Sequence, residues 1–321
     1  MGQLINGFWN KDDTKLTKKD GTFKRENAVF RSWIDNNKGS KFIPESGRYH
    51  LYVSHACPWA HRTLIFRVLK GLENHISVDV VHPEMLQDGW AFNTKFSEAT
   101  GDRIYKKRFL SEIYTQAENN ITCRVTVPVL LDKKSNKIVS NESSEIIRIF
   151  NSAFNEVTGN NTNYWPEELH KAMEPINDRI YETLNNGVYR AGFATSQKSY
   201  DDSVTKLFDT MEWLEGILSN QRFLLGDVVT EADWRLFPTL VRFDSIYHLH
   251  FKCNLKRLTD YKNLWAYTRD LYQTKGISKT VHLDHATRHY YFSHTSINPN
   301  QIIPINPVLN FNEPHSRFSV T

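Results

Sequence analysis

One cysteine lies where a strand is predicted to give way to a helix, in the Ser-His-Ala-Cys-Pro-Trp-Ala segment at 54–60. Proline suits the first position of a helix, where its missing N–H costs nothing, so Cys57 is expected at the N-cap. The N–H groups of the first turn and the positive end of the helix dipole then favour thiolate over thiol. We therefore predict that the pKa of Cys57 is depressed and that its sulfur is a nucleophile at neutral pH.

The segment lacks the second cysteine of a dithiol redox motif. That cysteine would stand at position 60, which is Ala60, and Cys123 and Cys253 are far away in sequence. An oxidised Cys57 must then be released by an external thiol such as glutathione. A buried, inert cysteine is the alternative, but the order of strand, cysteine, proline and helix favours a reactive one.

The elements that position this cysteine follow from hydrophobic patterns. Aromatic and β-branched residues predict a strand at 49–53, and apolar residues at helical spacing predict a helix from Pro58 that ends at Lys70-Gly71. A second strand is predicted at 76–81. Two strands joined by one helix make a βαβ unit with parallel pairing.

The polar and aromatic stretch 83–122 that follows is long for one connection, which is typical of functional loops. Strands are then predicted at 125–131, which contains Pro128, and at 137–140, before a further helix. This order is that of the thioredoxin fold. A cis-proline at this point of such folds faces the active cysteine; a trans proline at an edge or bulge is the alternative.

The Asn-Glu-Ser-Ser segment at 141–144 opens that further helix with capping residues. A helix N-terminus with a hydroxyl suits a ligand carboxylate, while Glu142 suits an ammonium group. Plain capping is an equally weighted alternative for this stretch taken alone.

The length of 321 residues suits two domains. Beyond 168 the apolar residues recur at helical spacing, and Thr230 with Asp233 forms a predicted capping box. The predicted class is an α/β thioredoxin-like domain followed by an all-α domain. The predicted boundaries are an extended N-terminal arm at 1–47, the thioredoxin-like domain at 48–155 with its 83–122 insertion, the all-helical domain at 156–290 and an extended tail at 291–321.

Composition excludes several classes of protein. The chain is 40% apolar and 24% charged, as in ordinary globular proteins, and its net charge of +4 is too small to indicate nucleic-acid binding. Three cysteines cannot make a disulfide framework, which favours a reducing compartment. Neither a signal peptide nor a membrane span is recognisable. We therefore expect a cytoplasmic protein that binds neither nucleic acid nor membrane.

A thioredoxin-like half with Cys-Pro-Trp-Ala at 57–60 and a helical half with Thr-Glu-Ala-Asp at 230–233 resembles a cysteine-type, Omega-like glutathione transferase. More closely, the chain resembles the glutathionyl-hydroquinone reductases, the Xi class. The resemblance covers nearly the whole chain and includes Arg-Val-Thr-Val-Pro-Val-Leu at 124–130, Val-Ser-Asn-Glu-Ser at 139–143, Asn-Asn-Gly-Val-Tyr at 185–189 and Val-Arg-Phe-Asp at 241–244.

The resemblance implies a glutathione transferase architecture, a homodimer, and reduction of S-glutathionyl-hydroquinones through a Cys57–glutathione mixed disulfide. It implies glutathione as co-substrate, no permanently bound cofactor and no metal. Cys57 would be the nucleophile. The implied glutathione-binding residues are Trp90, Arg124, Val127, Glu142 and Ser143, and the implied substrate-binding residues are Tyr189, Tyr290 and, as a weaker candidate, Arg242.

Other functions stay open beside this one. A general thioltransferase or dehydroascorbate reductase would use Cys57 without an aromatic pocket, whereas a non-enzymatic binding protein would not need Cys57. Two groups of residues give a weak alternative of metal binding: His285 and His289, which are four residues apart, and the cluster of His248, His250 and Cys253. Three of the implied site residues also have a purely structural interpretation. Arg124 could form a surface ion pair, Trp90 could anchor a loop, and Arg242 could be a structural residue.

Three positions depart from the family pattern. His55 replaces a usually apolar residue just before the nucleophile, Leu131 stands where tryptophan is frequent, and Pro238 lies within a helix that usually lacks proline. None of the three touches the cysteine or the glutathione motifs, so they bear on substrate details rather than on the class.

Overall fold

The computed structural model of the protein describes residues 2–11 and 17–319. Parts of the predicted N-terminal arm and C-terminal tail, residues 1, 12–16, 320 and 321, lie outside the described residues. The described chain forms two compact units. Unit 1 contains residues 2–11, Glu26–Asn163 and Asp284–Ser293, and unit 2 contains residues 17–25, Tyr164–Leu283 and 294–319. The contiguous domain boundaries given above stay a prediction.

Unit 1 combines strands with helices. Its strands are β1 Gln3–Ile5, β2 Phe8–Asn10, β3 Tyr49–Val53, β4 Ser77–Val80, β5 Cys123–Arg124, β6 Val129–Asp132 and β7 Lys137–Ser140. Its helices before residue 164 are α1 Pro58–Leu69, α2 Leu110–Ala117, α3 Ser143–Ser152 and α4 Asn155–Thr158.

The central sheet of unit 1 has the strand order β4-β3-β6-β7. Strands β3 and β4 are parallel, with Leu51 opposite Val78, while β6 is antiparallel to both β3 and β7. Every residue of β3 is buried, which accounts for a strand that is apolar or aromatic at nearly every position. The predicted βαβ unit and thioredoxin-like order are confirmed.

The structure differs from the prediction for unit 1 in one strand and in the long insertion. The strand predicted at 125–131 begins only at Val129, because Pro128 has no N–H for the ladder. The bond between Val127 and Pro128 is cis. The stretch 83–122 is not a loop throughout, since α2 occupies its C-terminal part. That helix is capped by the Glu112 carboxylate, which accepts hydrogen bonds from the N–H groups of Arg108 and Phe109 at 3.1 and 3.0 Å.

The N-terminal arm contains a hairpin that the pattern of an extended segment did not indicate. Strands β1 and β2 pair in antiparallel fashion around Asn6-Gly7, and β1 also pairs with β5. Both turn residues have positive φ, 49° for Asn6 and 80° for Gly7. Asparagine followed by glycine is the typical signal for such a two-residue turn. A Cβ on Gly7 would lie 1.8 Å from the carbonyl oxygen of Asn119, so this close approach also requires glycine.

Unit 2 is helical, as predicted. Its helices are α5 His170–Ile180, α6 Gly187–Gly192, α7 Gln197–Leu218, α8 Glu231–Leu240, α9 His248–His250 and α10 Lys262–Gln273. Wider π-helical turns at Tyr181–Asn185 and Phe243–Tyr247 follow α5 and precede α9. A further helix, α11 Leu283–Ser293, contributes Asp284–Ser293 to unit 1. Among the described residues, no helix has the length and apolar character needed to cross a membrane.

The C-terminal tail is anchored by one buried arginine. Arg317 is 1% exposed and donates hydrogen bonds to the carbonyl oxygens of Leu218, Gln221 and Arg222 at 2.6–2.8 Å. These carbonyls lie at and just beyond the end of α7, where backbone oxygens lack helical partners. A guanidinium at a helix C-terminus also complements the negative end of the helix dipole.

The predicted capping box at the start of α8 is confirmed and is buried. The Asp233 carboxylate accepts hydrogen bonds from the Thr230 N–H at 2.7 Å and from the Thr230 hydroxyl at 3.0 Å. It also accepts from the Leu224 N–H at 3.0 Å and from the Tyr267 hydroxyl at 2.8 Å. Asp233 thus joins the start of α8 to α10 and to the segment before α8.

Replacing Asp233 by alanine should strongly destabilise unit 2. The change leaves several buried donors without an acceptor, so we expect a loss on the order of 3 kcal/mol in the free energy of unfolding. Urea denaturation followed by circular dichroism measures it as a lower midpoint. The exposed Asp227, replaced in the same way, is the matched control. Equal midpoints for the two variants would contradict the buried capping role.

Candidate active site

Cys57 occupies the turn between β3 and α1. It is the N-cap residue of α1, with extended backbone angles of φ −78° and ψ 121°, and Pro58 is the first helical residue. Its N–H donates to the Ser54 carbonyl oxygen at 3.1 Å, and the Ser54 hydroxyl oxygen accepts from the Ala56 N–H at 3.2 Å. These bonds fix the turn. The half-buried Cys57 therefore lies at the amino end of α1, as predicted.

The Cys57 sulfur lies 3.6 Å from the carbonyl oxygen of Val127, the residue before the cis-proline. The fold thus brings together two of the predicted site residues, although they are 70 positions apart in sequence. A thiol is only a weak hydrogen-bond donor, so we expect the helix N-terminus rather than this carbonyl to decide the protonation of the sulfur.

The other two cysteines are poor candidates for the chemistry. Cys123 and Cys253 are buried, and the three cysteines, all within the described chain, form no disulfide. Burial raises the pKa of Cys123 to about 12 and raises that of Cys253 as well. Position 60, where a resolving cysteine would stand, is a fully buried alanine. Cys57 is thus the thiol suited to react at neutral pH.

The start of α3 carries the predicted binding pair Glu142 and Ser143. Glu142 is the N-cap, and its carboxylate accepts from the N–H and hydroxyl of Ser144 at 3.0 and 2.8 Å. The approach to this turn is held by Asn141, which exchanges hydrogen bonds with the Phe30 backbone at 3.0 and 3.1 Å. The structure thus shows Glu142 as a helix cap. Its second carboxylate oxygen can still accept a hydrogen bond from a ligand.

Arg124 lies in β5, the strand that pairs with β1 of the hairpin. Its Nε is 3.6 Å from a carboxylate oxygen of Glu26, and the two side chains are 17% and 36% exposed. A half-exposed ion pair of this kind contributes little to stability. The guanidinium has several donors, so the contact with Glu26 leaves it able to pair with a ligand carboxylate.

Trp90 is buried, with 7% of its surface exposed, and it follows a turn held by the N-terminal hairpin. The Trp9 indole N–H donates to the Gln87 carbonyl oxygen at 3.0 Å. Gly89 has φ +76°, and a Cβ there would come within 2.9 Å of the Trp9 ring. On α11 the ring of His289 stacks on the Trp90 indole with centroids 4.8 Å apart.

The predicted substrate residues divide between the units. Tyr290, on α11 in unit 1, is 1% exposed. Tyr189, in unit 2, stacks on Phe23 with ring centroids 6.1 Å apart, and the Arg25 guanidinium lies 5.0 Å from its ring centre. Arg242, also in unit 2, is 1% exposed and donates to the Pro238 carbonyl oxygen at 2.9 Å. That contact fits a structural role, which makes Arg242 the weakest of the candidates.

The sequence indicated only a weak metal-binding alternative for His285 and His289, and the structure places both in unit 1 with His55. His55 lies with its Nε2 3.9 Å from a Glu98 carboxylate oxygen and its ring 5.1 Å from that of His285. His285 contacts the Ser97 carbonyl oxygen through Nε2 at 2.5 Å, and His289 contacts the Pro83 carbonyl oxygen through Nδ1 at 2.8 Å. The spacing of His285 and His289 was visible in the sequence, but their partners 188 and 206 positions away were not.

Comparison with known proteins covers both halves of the chain. Residues 56–153 match the glutathione S-transferase N-terminal domain family, and residues 197–270 match the glutathione S-transferase C-terminal domain family. The chain is 52% identical to the glutathionyl-hydroquinone reductase YqjG of Escherichia coli K12, over 99% of this chain and 98% of that protein. The chain belongs to the glutathionyl-hydroquinone reductase family.

Solved structures of this family agree with the assignment. The glutathione-bound structure of YqjG from Escherichia coli K-12 superposes with a TM-score of 0.91 at 49% identity, over 99% of each chain. A Xi-class glutathione transferase from Natrialba magadii superposes with a TM-score of 0.94 at 47% identity, over 100% of this chain and 97% of that one. The family resemblance and the glutathione transferase fold predicted from the sequence are confirmed.

The thiol of Cys57 should titrate below the reference value of about 8.5, because the N-terminus of α1 stabilises its anion. The rate of alkylation by iodoacetamide against pH measures the midpoint. One fast-reacting thiol is expected in the native protein, since Cys123 and Cys253 are buried. Cys57→Ser should abolish the fast phase, and all three thiols of the wild type should react in denaturant. A midpoint at or above the reference value would show that the helix N-terminus does not activate the sulfur.

Proposed function

We propose that this chain reduces S-glutathionyl-hydroquinones to hydroquinones and uses glutathione as the reductant. The observation that carries the proposal is the half-buried Cys57 sulfur at the N-terminus of α1, in a protein whose other two thiols are buried. Such a thiolate attacks sulfur, and without a neighbouring thiol it forms a mixed disulfide with its substrate. The name of YqjG, a glutathionyl-hydroquinone reductase, supports the choice of substrate.

In the first step the Cys57 thiolate attacks the glutathione sulfur of the aryl thioether. A disulfide bond forms between the two sulfurs, and the bond between sulfur and ring carbon breaks. If the ring is in its keto tautomer, that carbon already carries its proton. The electron pair of the broken bond then forms an enolate, whose oxygen takes a proton to give the hydroquinone.

In the second step the thiolate of another glutathione attacks the glutathione sulfur of the mixed disulfide. Glutathione disulfide leaves, and Cys57 returns as the thiolate. The aryl conjugate is thereby reduced and two glutathionyl sulfurs are oxidised to one disulfide, so electrons balance. Because a covalent intermediate separates the two steps, the kinetics should be ping-pong.

We assign the binding of glutathione to five residues of unit 1. The backbone of Val127, 3.6 Å from the sulfur of Cys57, would pair with the cysteinyl part of the peptide. Glu142 and Ser143 at the start of α3 would hold its γ-glutamyl end through the ammonium group and the carboxylate. Arg124 would pair with the glycyl carboxylate, and Trp90 would cover the peptide.

We assign the binding of the quinol to Tyr189 and Tyr290, with Arg242 as a weaker candidate. A phenolic hydroxyl can donate a hydrogen bond to the ring oxygen on which charge develops while the bond between carbon and sulfur breaks. A general thioltransferase would need no such donors, because attack on a small disulfide places the leaving charge on sulfur. The two functions therefore differ in their dependence on these tyrosines.

We further propose that the protein acts as a homodimer in the cytoplasm. The family resemblance supports the dimer, and three cysteines without a disulfide fit a reducing compartment. Light scattering on the purified protein tests the dimer, and a mass of one chain would refute it. Cell fractionation tests the location, and recovery outside the cytoplasmic fraction would refute it.

Protein incubated with a glutathionyl-hydroquinone and no free glutathione should gain one glutathione on Cys57. The reason is that the first step needs no second thiol, whereas the release of the adduct does. Intact-mass spectrometry with peptide mapping detects it, and added glutathione should remove it. Cys57→Ser should show no adduct and no reductase activity. An adduct on Cys123 or Cys253 would overturn the assignment of the nucleophile.

Tyr189→Phe combined with Tyr290→Phe should slow the cleavage of glutathionyl-hydroquinones on the order of a hundredfold to a thousandfold. Reduction of a small glutathione mixed disulfide should stay near the wild-type rate, because it needs only the cysteine and the glutathione site. Tyr291→Phe, next to Tyr290 on α11, is the matched control. Equal losses on both substrates would make the tyrosines structural, and no loss on either would favour a general thioltransferase.

A further inference from the structure

Helix α11 is tied to the long insertion of unit 1 by side chains on one of its faces. His285 contacts the Ser97 carbonyl oxygen, and Arg288 donates from Nε to the Glu84 carboxylate at 2.7 Å. One turn further, Ser293 accepts from the Met85 N–H at 2.9 Å. His285 and Arg288 are three residues apart, and Ser293 lies two spacings of four beyond His285, so both pairs are neighbours on the helix surface. The segment 84–97 is therefore held in place by residues nearly 200 positions later in sequence.

His289 makes the most specific of these contacts. Its ring is nearly parallel to the Trp90 indole, at an interplanar angle of 24° and a centroid distance of 4.8 Å. Both side chains are only 7% exposed. Aromatic rings in such an arrangement attract each other beyond the effect of burial alone. His289 is thus a buried platform on one face of the residue assigned to cover glutathione.

The hydrogen bond of His289 fixes the orientation of this platform. Its Nδ1 lies 2.8 Å from the Pro83 carbonyl oxygen, which can only accept, so Nδ1 carries the proton. Burial lowers the pKa of His289 to about 4, and the ring is therefore neutral at physiological pH. A neutral ring held at one edge by a backbone carbonyl has little freedom to rotate away from the indole.

We propose that His289 is a positioning residue for glutathione, which acts through Trp90 and makes no contact of its own with the peptide. The inference rests on the proposed function in one respect, the assignment of Trp90 to the glutathione site. On the N-terminal side of Trp90, the Trp9 ring lies against the turn residue Gly89, where a Cβ would come within 2.9 Å of that ring. The indole is then fixed before glutathione arrives, and binding does not have to order it.

The test compares variants that separate the two contacts of His289. His289→Asn keeps a donor for the Pro83 carbonyl and removes the ring, whereas His289→Phe keeps the ring and removes the donor. Calorimetric titration of the full-length protein with reduced glutathione gives the dissociation constant. We expect His289→Asn to raise it about two- to tenfold, the range for one lost aromatic pair. His289→Phe should restore most of the affinity, which loss of a merely structural residue would not allow.

Steady-state kinetics provide the second measurement. The KM for the glutathione conjugate should rise in His289→Asn while kcat stays close to wild type, because Trp90 binds substrate and does not take part in bond breaking. Arg288→Gln is the matched control, since it removes a tie to the same segment without touching the indole. Arg288→Gln should leave KM and kcat unchanged. If His289→Asn fails to fold, His289→Leu replaces it, with a similar volume and no ring or donor.

A double-mutant cycle with Trp90→Leu decides the mechanism. If His289 acts through Trp90, adding His289→Asn to Trp90→Leu should change the dissociation constant no further. Effects that multiply would overturn the inference and leave the glutathione role of Trp90 intact. The inference is also overturned, and the role of Trp90 kept, if Trp90→Leu weakens glutathione binding and His289→Asn does not. If Trp90→Leu leaves the affinity for glutathione unchanged, both the inference and the assignment of Trp90 fail.

Discussion

The chemistry proposed for this protein depends on where the turn between β3 and α1 places the sulfur atom of Cys57. Strand β3 is buried along its whole length, so the turn cannot shift without disturbing the core. Hydrogen bonds from Cys57 and Ala56 to Ser54 close the turn, and Pro58 begins the helix at once. The sulfur thereby lies at the helix N-terminus and beside the carbonyl of Val127, in the bend just before β6.

The remainder of unit 1 is arranged from segments that are distant in sequence. The N-terminal hairpin supplies the strand that pairs with β5, which carries Arg124. The same hairpin places Trp9 against the turn that precedes Trp90, and α11 places His289 on the indole of Trp90. The residues assigned to glutathione are thus supported by both ends of the chain. This distribution explains why an insertion as long as 83–122 can be ordered without a sheet of its own.

The N-terminal arm also contributes residues to unit 2. Its residues 17–25 belong to the helical unit although both flanking segments belong to unit 1. Phe23 stacks on Tyr189 and on Phe193 with centroids 6.1 and 5.7 Å apart, and Arg25 donates to the Asn186 side-chain oxygen at 2.6 Å. The arm therefore contributes to the surroundings of a tyrosine assigned to the quinol.

The sequence alone determined the features that depend on local pattern: β3, the N-cap position of Cys57, the parallel βαβ unit and the capping box at Thr230. Each of these follows from neighbouring residues, because caps, turns and amphipathic periods are local. Motif order was also sufficient to identify the family. Only the tertiary structure decided that Val127 lies beside the sulfur, that α2 forms within the insertion, and that His289 stacks on Trp90. The first and the last of these are contacts between residues far apart in the chain, and no local pattern encodes which distant side chain will fill a given space.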